Sequence, residues 1–302
     1  MAKFGISSFR VAPDDLIDLT YDEYSGIVAA KNALVTMIGV EQKFDLLLQN
    51  YADYERELLN ISLHQAVYRD LDWRGIQGDI AIITRRLSNL LSAARLYVDQ
   101  IAQDLHDAFG SQHQVSNEIK VKLSTEYDAR LGYRVMEAVR NMMQHRSLPI
   151  HRLSYPQDSQ PGGARFRTVP SMEVARLKEA DLKGSLVQEL DSMGKHVPVT
   201  PFVRDYVEGL ATVHEGLRTA SESQLASWDS TIADVQARGV ARWGGENDRA
   251  FLAVHLDESD EVVASVQVFN ELTEYRRVLE SKNSVLRNLA RRFVSGECDQ
   301  DA

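Results

Sequence analysis

The run Ile76-Gln77-Gly78-Asp79-Ile80-Ala81-Ile82-Ile83-Thr84-Arg85-Arg86-Leu87-Ser88-Asn89-Leu90-Leu91 opens the most regular stretch of the chain. Ile76, Ile80, Ile83, Leu87, Leu90, Ala94, Tyr97 and Ile101 follow one another in alternating steps of four and three, the signature of one helical face. A second row, Leu91, Val98 and Leu105, lies beside the first and widens the stripe beyond a two-helix seam. The spacing predicts a helix over 76–109, roughly 50 Å long at 1.5 Å per residue, packed in a bundle.

The neighbours on both sides repeat the pattern. Upstream, Phe44, Leu47, Leu48, Tyr51, Leu58, Leu59 and Leu63 predict a helix over 41–70, broken by Asp72-Trp73-Arg74-Gly75. Residues 14–39 are weakly helical, and 1–12 read as a loose end. Downstream, after a connection at Gly110–Gln114, Ser116 or Asn117 caps a third helix. Ile119, Leu123, Tyr127, Leu131, Val135, Val139 and Met142 line it, and Gly132 is the place for a kink. Pro149 disfavours helix at the residue before it, so this helix ends by Leu148.

Past Pro149, residues 150–155 and 164–169 read as a short hairpin or as two extended arms around a Pro/Gly-containing loop. Helices are expected over 171–193 and 201–238, a break over Gly239–Asp248, a hairpin from 251–256 and 261–268, and a last helix over 269–294. The chain is thus predicted to be mainly α with α+β character, a long-helix bundle with short hairpins and a helical C-terminal part. Residues 14–155 form the bundle and 156–302 an extension carrying a small hairpin.

Composition agrees with an ordinary folded chain: 302 residues, 44% hydrophobic and 26% charged, with only 7 Pro and 17 Gly. The single cysteine, Cys298, excludes an intrachain disulfide framework and a Cys-based zinc site. Met1–Leu19 lacks an uninterrupted apolar core and no later run approaches ~20 apolar residues, so neither a signal peptide nor a membrane span is expected. A cytoplasmic location fits best. The net charge of −10 argues against broad coating of nucleic acid. Between Arg130 and Arg167, however, seven arginines stand against Glu137 and Asp158, seven minus two or +5, which predicts a local anion site.

At the end of the third helix stand Arg140, Asn141 and His145, a fixed cation, a polar positioner and a group that moves protons near neutral pH. Asn141 and His145, four apart, share a face, whereas Arg140 and His145 are about 140° apart around a regular helix. They converge on one ligand if the last turn loosens, if Arg140 reaches around, or if two subunits share the site. Arg140-Asn141-x-x-x-His145 at the end of a bundle helix resembles the R-N-x-x-x-H motif of the HEPN superfamily. The stretches Arg85-Arg86-Leu87-Ser88-Asn89-Leu90-Leu91, Tyr133-Arg134 and Leu148-Pro149-Ile150 also resemble bacterial HEPN-like proteins.

That resemblance covers about residues 76–155. It implies an endoribonuclease acting as a homodimer without metal or other cofactor, with Arg140, Asn141 and His145 catalytic. It also implies RNA as partner, an antitoxin or defence-system protein as a further one, and a role in anti-phage defence or a toxin–antitoxin system. Arg134, Arg146, His151 and Arg152 are the candidates for holding RNA phosphate. Two other readings stay open: a catalytically silent HEPN-like partner or sensor for RNA or a nucleotide, and a helical interaction scaffold. A lone Arg or His at a helix end commonly pairs with an acid or caps carbonyls.

Overall fold

A computed structural model describes residues 2–8, 15–69, 71–110, 113–145, 147–160, 163–179, 184–244, 250–283 and 286–292. In chain order the elements are β1 (Lys3–Ser8), β2 (Ile17–Leu19), α1 (Tyr21–Tyr68), α2 (Trp73–Phe109), α3 (Gln114–Ala129) and α4 (Leu131–His145). Next come β3 (Arg152–Ser154), β4 (Gln157–Gln160), β5 (Gly163–Phe166), β6 (Val169–Glu173), α5 (Val174–Glu179), α6 (Gly184–Asp191) and β7 (His196–Pro198). Then follow α7 (Thr200–Trp243), β8 (Phe251–Leu256), β9 (Val262–Val268) and α8 (Glu271–Lys282), with a 3-10 turn at Leu289–Arg291. The protein is mainly helical with a few short antiparallel strands.

The helix starts are written in the sequence. At α1, Thr20 Oγ1 accepts from the Glu23 N–H (3.1 Å) while a Glu23 carboxylate oxygen accepts from the Thr20 N–H (2.7 Å), a reciprocal capping box. Asp72, read as part of a break, caps α2 by accepting from the Gly75 N–H at 2.6 Å. The chain divides into two compact units, residues 1–45, 97–120 and 216–284, and residues 46–96, 121–215 and 285–302. The expected division near residue 155 follows sequence order; these units do not, because α1, α2, α3 and α7 each supply segments to both.

The first unit is built on a four-stranded antiparallel sheet in the order β2-β1-β8-β9. The loose end expected at the N-terminus is instead an inner strand: Lys3 to Ser8 pair with Leu256 to Phe251 on one side, and Phe4 to Ile6 with Leu19 to Ile17 on the other. Its alternation is too short to announce a strand without the partners supplied some 250 residues later. The expected hairpin is β8–β9. The first half of α1 runs straight through Gly39, where an added Cβ would meet nothing within 4 Å. There the buried Glu41 accepts two bonds from the Arg218 guanidinium (2.9 and 2.6 Å), and Asp45 accepts from Asn283 Nδ2 (2.9 Å). Asn283 thereby marks the end of α8, so the last helix is shorter than the 269–294 expected.

The second unit holds the candidate site. Buried side chains of α1 (Tyr54, Leu58), α2 (Ile83, Leu87, Leu90), α4 (Val135, Met136, Val139, Met142) and α7 (Val203, Tyr206, Leu210) make its core. Polar bonds cross between those helices: Arg204 forks onto Glu55 (2.6 and 2.8 Å) and Tyr54 Oη lies 3.0 Å from Thr200 Oγ1. The single third helix expected over 116–146 is two, because a carboxylate intervenes. Asp205 on α7 accepts from Arg130 Nη1 (2.8 Å) and from the Gly132 N–H (2.8 Å), capping a new helix at α4. Gly132 is required there, since a Cβ would stand 2.6 Å from the Phe202 carbonyl oxygen.

The segment expected as helix from Ser171 begins instead as strand β6, which lies between β3 and β7 in a three-stranded antiparallel sheet. β4 and β5 form their own two-stranded hairpin, but β4 falls within the expected loop, and the expected arm at 150–155 pairs through β3 with β6 instead. Cys298 and residues 245–249 of the expected break lie outside the described residues. Among the described residues no helix is long and apolar enough to cross a membrane.

Candidate active site

Helix α4 stops where Pro149 requires. The Ser147 N–H donates to the Met142 carbonyl (3.2 Å), a widened closing turn, and buried Ile150 and the His151 N–H, bonded to the Ser171 carbonyl (3.0 Å), tie the exit to β6. The final two turns of α4 carry Glu137, Arg140, Asn141 and His145. Asn141 and His145 are both exposed and stand one turn apart on the same face.

Arg140 is held in place from below. Its Nε lies 3.7 Å from a Glu137 carboxylate oxygen, and its Nη2 donates to Asn141 Oδ1 at 2.8 Å. Glu137 in turn accepts from the Tyr206 hydroxyl (2.8 Å) and lies 3.7 Å from Arg95 Nη1. Burial first, and then the Glu137 charge, raises Tyr206 well above its ordinary range, so the phenol stays protonated and donates. One carboxylate thus anchors two guanidinium groups and a phenol drawn from α2, α4 and α7. The described contacts of Arg140 do not include His145, which stands a turn further on.

The residues read as phosphate holders are dispersed. Arg134 forks onto Glu189 of α6 (2.8 and 3.1 Å), and that pair holds the Glu189 carboxyl below its usual range. His151 is half-buried, and its Nδ1 accepts from the Glu173 N–H (2.9 Å). Burial, with Arg176 adding, pushes its imidazole below the ordinary histidine range, so it carries little charge at neutral pH. Arg152 is exposed at the start of β3. Arg146 lies outside the described residues.

The +5 read from Arg130 to Arg167 needs correction as a surface property. Arg130 pairs with Glu126 (2.6 Å) and Asp205, Arg134 with Glu189, Arg140 with Glu137, and Arg167 with Asp158 (2.7 Å). Three of those acids, Glu126, Glu189 and Asp205, lie outside the counted window, which is why counting along the chain exaggerated the field. The Glu137 partner of Arg140 was legible at three-residue spacing. Tyr206 and Arg95 were not, because they arrive from distant helices. Among the described residues no group of three or more His, Cys, Asp or Glu is placed to hold a metal ion. Comparison of the chain with protein-family models, with curated proteins and with solved structures gives no match.

Proposed function

We propose that the chain is an endoribonuclease of HEPN type, acting as a homodimer in the cytoplasm in anti-phage defence or a toxin–antitoxin system. The observation that supports this most is the Arg140–Asn141 pair, fixed by Glu137 and Tyr206, with exposed Asn141 and His145 on one face of a helix end. In the proposed reaction the ribose 2′-oxygen attacks the adjacent phosphorus and the bond to the 5′-oxygen breaks, leaving a cyclic phosphate and a 5′-hydroxyl. His145 moves the proton. Arg140 stabilises charge on the phosphoryl oxygens and Asn141 orients the group that carries it. The nucleophile belongs to the substrate, so the step calls for no metal-bound water.

The commitment of Arg140 to Glu137 favours a second reading, a catalytically silent HEPN-like partner that binds RNA without cutting it. RNA incubated with the full chain in EDTA separates the two. Cleavage that disappears in a folded His145→Ala protein supports the nuclease; retention of RNA without cleavage supports the silent partner. A His145→Ala protein that cuts at the wild-type rate refutes the assignment to this motif.

A further inference from the structure

A second feature of the same unit lies away from the Arg140 pair's contacts. A cavity of about 870 Å³ is walled by Arg165, Arg167, Arg204, Arg291 and Arg292 beside Phe166. Its remaining wall is largely apolar, with Leu58 and Leu59 of α1 and the prolines Pro198 and Pro201. Among the described residues Glu55 is the one acid in that lining, and it is occupied by the two-point pair with Arg204. Of the five arginines, Arg204 is thus committed to Glu55 and Arg167 to Asp158, while the lining as a whole stays rich in guanidinium groups inside a protein whose net charge is −10.

Placement of the arginines is also asymmetric. Among the described residues the Arg291 and Arg292 guanidinium groups, both exposed, meet no acid, whereas the Arg292 backbone is fixed through its carbonyl by Arg204 Nη1 (3.3 Å). Arg167 is held by Asp158 across the β4–β5 hairpin. Phe166 lines the cavity, and the Arg69 guanidinium stands 6.0 Å from its ring centroid.

We propose that this cavity is a nucleotide-binding site: phosphates on the arginines, the base against Phe166 and the leucine and proline wall. The volume lies in the range of small-molecule pockets, about 300–1,000 Å³, and is ample for one nucleoside polyphosphate. Arginine forks match phosphate oxygens in geometry, and a planar base gains from the aromatic and apolar lining. A bare phosphate would leave that apolar wall unused, and a volume of about 870 Å³ suits one nucleotide better than a strand of several. The site does not rest on the proposed nuclease, since it shares none of the residues Arg140, Asn141 and His145.

Isothermal titration of the full chain tests it with ATP, GTP, inorganic tripolyphosphate and a short single-stranded RNA. The expected result is saturable binding of at least one nucleoside triphosphate, with tripolyphosphate clearly weaker. Replacing both Arg291 and Arg292 by Ala should weaken that binding about tenfold or more. Phe166→Ala should erase the advantage over tripolyphosphate, with thermal melting used to check that both variants stay folded. His145→Ala should bind as wild type does, which keeps this outcome separate from the nuclease test. No nucleotide binding, binding of tripolyphosphate equal to that of ATP and GTP, or binding of the RNA strand alone would overturn the proposal.

Discussion

Glu137 shows how a single side chain decides the state of its neighbours. It meets Arg95, Arg140 and Tyr206 at 16% exposure, where losing a partner leaves charge with few alternatives. Glu137→Gln should therefore cost about 1–3 kcal/mol in urea melts, the range for stranding a buried hydrogen-bonded charge. A change within error would show that the network holds nothing. Tyr206→Phe should cost less, because it removes one neutral donor. His151 carries a pH prediction. Its folded pKa is depressed, so above the unfolded value near 6.5 its contribution to stability is fully present. As pH falls below about 6.5 the unfolded chain binds the proton first, and stability drops until the folded group also titrates. An NMR titration should place His151 below its ordinary midpoint; a midpoint above it would contradict the half-buried, acceptor-only Nδ1.

At the scale of elements, the helices were legible where one buried face repeats over many turns. α2 is the clearest case: Leu87 and Leu90 are fully buried, as the three-four spacing indicates. Leu87→Ala or Leu90→Ala should each cost about 2–5 kcal/mol, measured by denaturant unfolding. Losses under about half a kcal/mol would mean the face packs loosely. What could not be read depends on partners from afar. The break between α3 and α4 is made by Asp205, and Gly132 marks it without revealing the cause. Gly132→Ala should destabilise by about 1–3 kcal/mol through its clash with the Phe202 carbonyl, whereas Gly39→Ala should be neutral or mildly stabilising. β1 is not legible in the sequence, because Lys3–Ser8 becomes a strand only when β2 and β8 flank it. The start of α1 is written locally instead: Thr20-x-x-Glu23 is a capping box, a signal of polar spacing rather than of apolar periodicity.

For the whole molecule, the site raises a question of assembly. Arg140 is turned toward Glu137 and His145 stands a turn beyond, so one chain does not bring the two groups into contact. A homodimer with a two-fold axis would supply the pair by facing two copies of the α4 end across one cleft. Its pull on RNA would be modest, because most of the arginines between Arg130 and Arg167 already have acidic partners. RNA affinity should therefore fall with salt only weakly, as few phosphate contacts imply. The most direct measurement mixes Arg140→Ala and His145→Ala chains, each inactive alone, after joint unfolding and refolding, and follows RNA cleavage in EDTA. A site shared between subunits leaves one intact Arg140–His145 combination in each mixed dimer, so cleavage should return to about a quarter of the wild-type rate at equal proportions. A mixture as inactive as its components, beside an active wild type, would contradict the shared site, and a wild type that cuts no RNA would contradict the nuclease.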